Sequence, residues 1–131
     1  MKLTGLILTY NCENFVQKAI NNIPKNILHE IICTDDDSKD NTRQIVERNK
    51  IPFYTHKHAG YGGNLFEGLK IAFERGATHV IEIHGDGQYD LSKIISLDET
   101  SIQPAMLMEY SRCYLSKRCI VETDDNYLFL Y

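Results

Sequence analysis

Acidic, amide and histidine side chains follow several short apolar runs of the sequence, and their types suit the binding of a metal ion or a phosphate. The turn His84-Gly85-Asp86-Gly87-Gln88 combines an imidazole, a carboxylate and an amide. Carboxylate and amide oxygens are ligands for hard cations such as Mg²⁺, whereas imidazole suits Mn²⁺ better. Because Asp-Gly is also a strong hairpin signal, a plain turn is the alternative. The helical pattern of residues 91–97 disfavours a hairpin, since no matching strand follows directly.

Three other polar clusters have a similar position behind an apolar run. They are Tyr10-Asn11-Cys12-Glu13, Asp35-Asp36-Asp37 and the segment 57–64, which contains Gly60-Tyr61-Gly62-Gly63. Glycine permits close approach of the backbone to a ligand, although a tight turn explains such a cluster equally well. The acidic run has a solvated loop with a helix cap as its alternative. We interpret His56 and His58 as surface polar residues rather than metal ligands.

The elements that must position these clusters follow from the apolar pattern. Four runs of strand length cover residues 3–9, 31–34, 52–56 and 80–83. Helical spacing of apolar residues separates them, over residues 15–23, 40–48 and 64–73. Continuous apolar strands that alternate with helices are typical of a mostly parallel α/β sheet with helices on both faces. Ligands bind beyond the carboxyl ends of such strands, so we expect the four clusters to meet on one edge.

The chain of 131 residues is long enough for one domain. Residues 1–95 carry the strand and helix pattern, and residues 96–131 have a different character. The sequence ends on Tyr127-Leu128-Phe129-Leu130-Tyr131, which is a sticky surface unless something covers it. We therefore expect a truncated or divergent C-terminal segment of the same domain, and a homodimer is a candidate for covering its edge.

Composition excludes several classes of protein. The net charge is −4 with no Lys/Arg run, which makes nucleic acid an improbable partner. No apolar run reaches the length of a transmembrane segment, and the N-terminal apolar stretch is too short for a signal peptide. Four scattered cysteines without a Cys-x-x-Cys pair indicate reduced, packed thiols in a cytoplasmic protein.

Taken together, the four clusters resemble motifs of the family 2 glycosyltransferases with the GT-A fold, most closely the branch that includes dolichol-phosphate mannose synthase. The matching stretches are Thr9-Tyr10-Asn11-Cys12-Glu13, Asp35-Asp36-Asp37-Ser38-Lys39-Asp40-Asn41-Thr42, Gly60-Tyr61-Gly62-Gly63 and His84-Gly85-Asp86-Gly87-Gln88-Tyr89. The last stretch stands at the place of the family's Asp-x-Asp. The resemblance covers about residues 3–95.

The resemblance implies a Rossmann-like GT-A fold and transfer of a sugar, with inversion, from a UDP- or GDP-linked donor. It implies Mg²⁺ or Mn²⁺ as cofactor, held by Asp86 and Gln88 with His84 as an auxiliary ligand. Asp36 is expected to accept a hydrogen bond from the base. The implied nucleotide-binding residues are Thr9, Tyr10, Asn11, Glu13, Asp35, Asp36, Gly62, Gly63 and Asp86. The general base is left unassigned. Polyisoprenyl phosphates and polysaccharides are the candidate acceptors, and peripheral attachment to the membrane is compatible with the first.

Two departures from the family pattern have physical consequences. Asp37 stands where the family usually has glycine, so the turn must bend around a side chain, which Asp tolerates better than most residues. His84 replaces the first carboxylate of Asp-x-Asp, which predicts weaker or more Mn²⁺-dependent metal binding.

Two other functions stay open from the sequence. A nucleotide-sugar-binding module without catalysis is one, because no family motif follows residue 95. A phospho-acceptor receiver domain is a remote alternative, since it needs acidic residues where this chain has Tyr10-Asn11 and His56.

Overall fold

A computed structural model describes residues 2–88 in full and the backbone of residues 119–123 and 126–130. The elements in chain order are β1 (Leu3–Thr9), α1 (Val16–Asn21), β2 (Glu30–Asp35), α2 (Thr42–Arg48), β3 (Phe53–Thr55), α3 (Gly60–Glu74), β4 (His79–His84), β5 (Cys119–Thr123) and β6 (Asn126–Leu130). All four strands predicted before residue 95 are therefore confirmed. The predicted helix over 91–97 lies outside the described residues.

The strands form one sheet in the order β3-β2-β1-β4-β6-β5. β1 is parallel to β2 and β4, with Ile7 opposite Cys33 on one side and Ile83 on the other, and β2 is parallel to β3. β6 is antiparallel to both β4 and β5. The apolar stretch near the C-terminus thus forms a strand that pairs with a neighbour on each side.

The core lies on both faces of the sheet, because alternate residues of β1 point in opposite directions. Ile7 packs in a cluster with residues of α1 and α2, including Val16 and Val46, whereas Leu6 packs in a second cluster with residues of α3, including Leu69. The predicted α/β fold, a mostly parallel sheet with helices on both faces, is confirmed. Since the helices cover the faces, the cleft that could accept a ligand lies at the strand ends.

The helix boundaries differ from the sequence prediction in one respect that affects the site. The Gly60-Tyr61-Gly62-Gly63 segment, predicted as a loop that leads into a helix, is the first turn of α3 itself. Gly60 has a φ of +76°, which permits the sharp entry into the helix. At the other end Gly76, with a φ of +87°, follows the C-cap Arg75, where the left-handed conformation of glycine commonly ends a helix.

Gly68 is the point where α3 comes closest to the sheet. A Cβ at this position would lie 2.7 Å from both terminal methyl groups of Leu6 and 2.8 Å from Thr34 Oγ1. Both neighbours are fully buried, so a shift of either one disturbs the packing around it. We expect Gly68→Ala to lower the free energy of unfolding, because an overpacking cost of about 1–3 kcal/mol exceeds the gain in helix propensity of up to about 1 kcal/mol.

The matched control is Gly62→Ala in the same helix, where a Cβ meets no atom within 4 Å. It should raise the free energy of unfolding by about 0.5–1 kcal/mol. Urea denaturation of both variants measures the difference, and equal stabilities would contradict the packing argument.

Candidate functional site

A cleft of about 320 Å³ lies at the carboxyl ends of β1, β2 and β4, beside the N-terminus of α3. All four polar clusters found in the sequence contribute to its lining, through Tyr10, Asp36, His58 and Asp86 among others. The expectation that these clusters meet on one edge is therefore confirmed. The volume is within the range of about 300–1,000 Å³ that is usual for small-molecule sites.

A second, shallower depression lies at the opposite end of the sheet. It is lined by Lys2, His29, Glu30 and Arg75. Glu30 forms ion pairs with both Lys2 and Arg75, so these charges compensate one another. The cleft at the carboxyl ends is the better candidate for a ligand site.

The end of β1 contributes both Thr9 and Tyr10 to the cleft lining, with different exposure. The Tyr10 ring is 52% exposed and lies on the cleft lining. Thr9 is buried, and its Oγ1 donates a hydrogen bond of 2.7 Å to Asp35 Oδ1. Tyr10 can thus contact a ligand, whereas the Thr9 hydroxyl holds β1 to the end of β2.

The side chains of Asn11 and Glu13 connect the loop after β1 to the loop after β2. Asn11 Oδ1 accepts the backbone N–H of Lys39 at 2.8 Å, and the Asn11 N–H donates to Ser38 Oγ at 2.8 Å. Glu13 Oε2 accepts both the backbone and the side-chain N–H of Asn41 at 2.9 Å. Neither residue lies on the cleft lining. Their predicted contact with a nucleotide stays a prediction.

Asp35 has the same structural character. Its buried carboxylate accepts hydrogen bonds from Ser38 N at 2.8 Å and Ser38 Oγ at 2.5 Å, besides the one from Thr9. These bonds close the turn in which Asp37 has a φ of +68°. The turn therefore bends around an aspartate as the sequence predicted, and Asp37 itself points outward to Lys39.

Asp36 is the buried carboxylate of the cleft. It is 2% exposed, and it accepts the backbone N–H of Ala59 at 2.7 Å and that of Gly60 at 2.9 Å. These amides begin α3, so the negative charge also lies at the favourable end of the helix dipole. His58 Nδ1 lies 2.8 Å from the same carboxylate.

His56 supports this arrangement from the end of β3. Its Nε2 is hydrogen-bonded to Asn64 Oδ1 at 2.9 Å, and its Nδ1 lies 3.8 Å from Asp36. Burial lowers the pKa of His56, but hydrogen bonds to Asn64 and to the Lys57 carbonyl, with the Asp36 charge, raise it overall. Both histidines thus lie next to Asp36. His58 is also exposed, in agreement with its interpretation as a surface residue.

Gly62 and Gly63 lie in the first turn of α3 and are not on the cleft lining, whereas Gly60 is. A Cβ at Gly63 would be 2.5 Å from the Cβ of Ala59, so this glycine is explained by contact within the chain. A nucleotide-binding role for Gly62 and Gly63 stays a prediction.

Sequence reasoning missed Glu82, a buried carboxylate in β4. Its Oε1 accepts the Tyr61 hydroxyl at 2.6 Å and lies 2.8 Å from His84 Nε2. The hydrogen bond to Glu82, with the charges of Glu82 and Asp86, raises the pKa of His84 against the opposing effect of burial. Glu82 thus places a carboxylate beside His84, which itself stands where the family has the first carboxylate of Asp-x-Asp. A single acidic residue within the apolar run Val80-Ile81-Glu82-Ile83 was the signal that could have found it.

Asp86 lies at the mouth of the cleft on a turn held tightly against β1. A Cβ at the preceding Gly85 would lie 2.8 Å from both the Leu8 carbonyl oxygen and Thr9 Cγ2, so only glycine fits without a shift. Asp86 Oδ1 accepts the backbone N–H of Gln88 at 3.1 Å. Gln88 is exposed and is not on the lining.

The side chains near Asp86 fit a cation whose remaining coordination positions are filled by phosphate oxygens and water. Within residues 2–88 no group of three or more His, Cys, Asp or Glu side chains is close enough to hold a metal ion by itself. His84 and Asp86 both line the cleft and provide one nitrogen and one carboxylate. Magnesium-type sites commonly use one or two protein carboxylates with substrate phosphates and water.

The cleft contains one thiol, Cys12. Burial raises its pKa to about 11, so it is protonated and unreactive at neutral pH. Cys12 and Cys33 are both free and buried, in agreement with the packing role expected for the cysteines.

A sequence model described as Glycosyl transferase family 2 matches residues 6–100. The chain belongs to this family. The resemblance found in the motifs is therefore confirmed, and the receiver-domain alternative is wrong.

Characterised and uncharacterised glycosyltransferases are among the similar proteins. The UDP-N-acetylglucosamine–dolichyl-phosphate N-acetylglucosaminyltransferase of Methanococcus voltae is 33% identical over 116 residues, which are 72% of this chain and 46% of the relative. The uncharacterized glycosyltransferase MG060 of Mycoplasma genitalium is 29% identical over 128 residues, 87% of this chain and 43% of the relative. The chain thus spans under half the length of these two relatives.

Solved structures of glucosyl-3-phosphoglycerate synthase from Mycobacterium tuberculosis have the same fold. The complex with Mn²⁺, UDP and glucosyl-3-phosphoglycerate aligns with a TM-score of 0.57 and 17% identity, over 64% of this chain and 33% of the other. The complex with Mg²⁺ and UDP also gives a TM-score of 0.57, over 64% and 33%. The predicted GT-A fold is confirmed. In the described part of the chain, no helix is long and apolar enough to cross a membrane.

Proposed function

We propose that this chain forms the donor-binding half of a glycosyltransferase that takes a sugar from a UDP- or GDP-linked donor, with inversion. The observation that carries the proposal is the cleft on which Tyr10, Asp36 and Asp86 lie together. It offers an exposed aromatic ring, a buried carboxylate and an exposed carboxylate on one rim. The ring can stack on a base, the buried carboxylate can accept an N–H from the edge of that base, and the exposed carboxylate can bind a cation on the diphosphate.

Each group has a role in the proposal. The Tyr10 ring stacks on the base, and Asp36 accepts a ring N–H. Asp86 and Gln88 hold a divalent cation, Mg²⁺ or Mn²⁺, with His84 as an auxiliary ligand. The bound cation supplies neutralisation of the negative charge that develops on the leaving nucleoside diphosphate. Thr9, Asn11, Glu13 and Asp35 contribute by fixing the loops around the base, as their hydrogen bonds support.

The acceptor in this proposal is a polyisoprenyl phosphate, with a polysaccharide as the alternative. The Methanococcus voltae relative, whose name includes a dolichyl-phosphate acceptor, supports the first. A cytoplasmic location, peripheral to the membrane, fits such an acceptor. The general base is not assigned, and a homodimer is proposed as the form in which the C-terminal strands are covered.

A nucleotide-sugar-binding module without transfer is the second candidate. The aligned residues cover 46% and 43% of the two relatives, and transfer by the whole of such a protein is not implied by donor binding in this part. Binding and turnover must therefore be measured separately.

The test is calorimetric binding of UDP, GDP, CDP and ADP in the presence and absence of Mn²⁺, followed by hydrolysis and transfer assays with the corresponding nucleotide sugars. We expect UDP or GDP to bind at least about tenfold more tightly than CDP and ADP, which corresponds to about 1.4 kcal/mol. We also expect the binding to need the ion. Binding without turnover would favour the module, and a protein that binds none of the four nucleotides would refute both candidates.

A further inference from the structure

His58 makes contacts that the proposed function gives to the base of the donor. Its Nδ1 lies 2.8 Å from Asp36 Oδ2, and its ring centroid lies 4.9 Å from that of Tyr10, at an interplanar angle of 34°. His58 also lines the cleft. A planar ring beside Tyr10 with an N–H directed at Asp36 has the same chemistry as the edge of a nucleobase.

The hydrogen on Nδ1 follows from its surroundings. The atoms within reach are the Asp36 carboxylate and, at 3.3 Å, the Asp36 carbonyl oxygen, and both are acceptors. Nδ1 must therefore carry the proton and donate. The Asp36 carboxylate accepts the amides of Ala59 and Gly60, whereas the His58 Nδ1–H donates to the Asp36 carbonyl oxygen at 3.3 Å and lies 2.8 Å from Oδ2.

Only one of these three donors can leave at low cost. The Ala59 and Gly60 amides are fixed by the start of α3, whereas the His58 side chain is 55% exposed and can rotate into solvent. Removal of either backbone amide would require the helix to unwind. A ligand that approaches Asp36 therefore competes with His58.

We propose that His58 occupies the nucleobase subsite while no donor is bound, and that a base enters by taking its place on Asp36 and Tyr10. This inference rests on the proposed function. A base that replaces His58 must bring a ring N–H, because a buried carboxylate that loses a donor and faces another acceptor is destabilised. Uracil and guanine have such an N–H, whereas cytosine and adenine present a ring nitrogen that only accepts. Asp36 thus disfavours CDP- and ADP-linked donors, whereas His58 lowers the apparent affinity for every base by the same factor.

The first experiment measures the affinity of wild type and His58→Ala for UDP, GDP, CDP and ADP with Mn²⁺. If His58 fills the subsite about 70–90% of the time, its removal tightens binding of UDP or GDP about three- to tenfold, because the apparent dissociation constant scales inversely with the competent fraction. The matched control is His79→Ala, which removes an imidazole at the opposite end of the sheet and should leave affinity unchanged. Weaker or unchanged binding in His58→Ala would overturn the proposal.

The second experiment needs no nucleotide. Added imidazole should bind to His58→Ala and shift the NMR signals of the Ala59 and Gly60 amides, which donate to Asp36, while wild type shows no such shift. Absence of these shifts in the variant would overturn the proposal. If imidazole binds to the variant but no nucleotide binds to either protein, the ring subsite stands and the proposed function fails.

Discussion

Replacement of Asp36 by asparagine should destabilise the protein by about 1–3 kcal/mol, because a buried hydrogen-bond network loses acceptors. The carboxylate accepts N–H groups from Ala59 and Gly60, and His58 Nδ1 lies 2.8 Å from its Oδ2. A carboxamide has one oxygen acceptor, and its NH₂ group would face a donor. Since the residue is 2% exposed, water cannot restore the lost bonds. The N-terminus of α3 also loses the charge that its dipole favours.

Asp37→Asn is the matched control, since it makes the same substitution one residue later. Asp37 has a φ of +68°, a conformation that asparagine also adopts readily. Its ion pair with Lys39 is exposed, and such pairs contribute little. We expect the free energy of unfolding to change by less than about 0.5 kcal/mol. Urea denaturation of the two variants provides the measurement, and similar losses at both positions would show that Asp36 is not the anchor of α3.

The strands could be predicted from the sequence because a strand buried on both faces of a sheet must be apolar along its length. β1 is buried along its whole length, and helices cover both faces of the sheet, so every position of the strand favours an apolar or small residue. The same reasoning gives the edge at which the site lies, because parallel strands that alternate with helices all end on one side. The cleft at this edge contains residues from each predicted cluster.

The start of α3 was harder to predict because glycine is common in turns and unfavourable within helices. The segment from Gly60 to Gly63 has low helix propensity, yet it forms the first turn of α3. The carboxylate of Asp36 stabilises that turn by accepting the Ala59 and Gly60 amides. This contact joins residues 23 and 24 positions apart, so no local pattern reveals it.

The individual roles of the site residues were hidden for a related reason. Residue type indicates that Asn11 and Glu13 are polar and near the site, but not that their side chains bond to the neighbouring loop. Glu82 lies in an apolar strand next to His84, and its other partner, Tyr61, is 21 residues away in the sequence. A motif names the residues that meet, whereas hydrogen-bond partners decide which of them can face a ligand.

In the proposed function, the cation makes Asp86 the residue with the largest expected effect on donor binding. Asp86→Asn removes an exposed carboxylate charge from the cleft lining and keeps an oxygen that can still accept the Gln88 N–H. The turn should therefore stay folded while the affinity for Mn²⁺ falls. Loss of a residue that only supports a metal ligand costs about 10–100-fold, so loss of the ligand's charge should cost at least as much.

The measurement is Mn²⁺ binding by electron paramagnetic resonance with UDP or GDP present, on wild type, Asp86→Asn and Asp37→Asn. Asp37→Asn removes an equal charge from the same edge of the sheet, but from a side chain that points to Lys39. It should leave Mn²⁺ affinity within about twofold of wild type, because the Asp37 charge is exposed and already paired with Lys39. Because His84 contributes a nitrogen, wild type should also prefer Mn²⁺ to Mg²⁺. Equal affinity in all three proteins would mean that the ion is not held at Asp86, even if nucleotide binds at Tyr10 and Asp36.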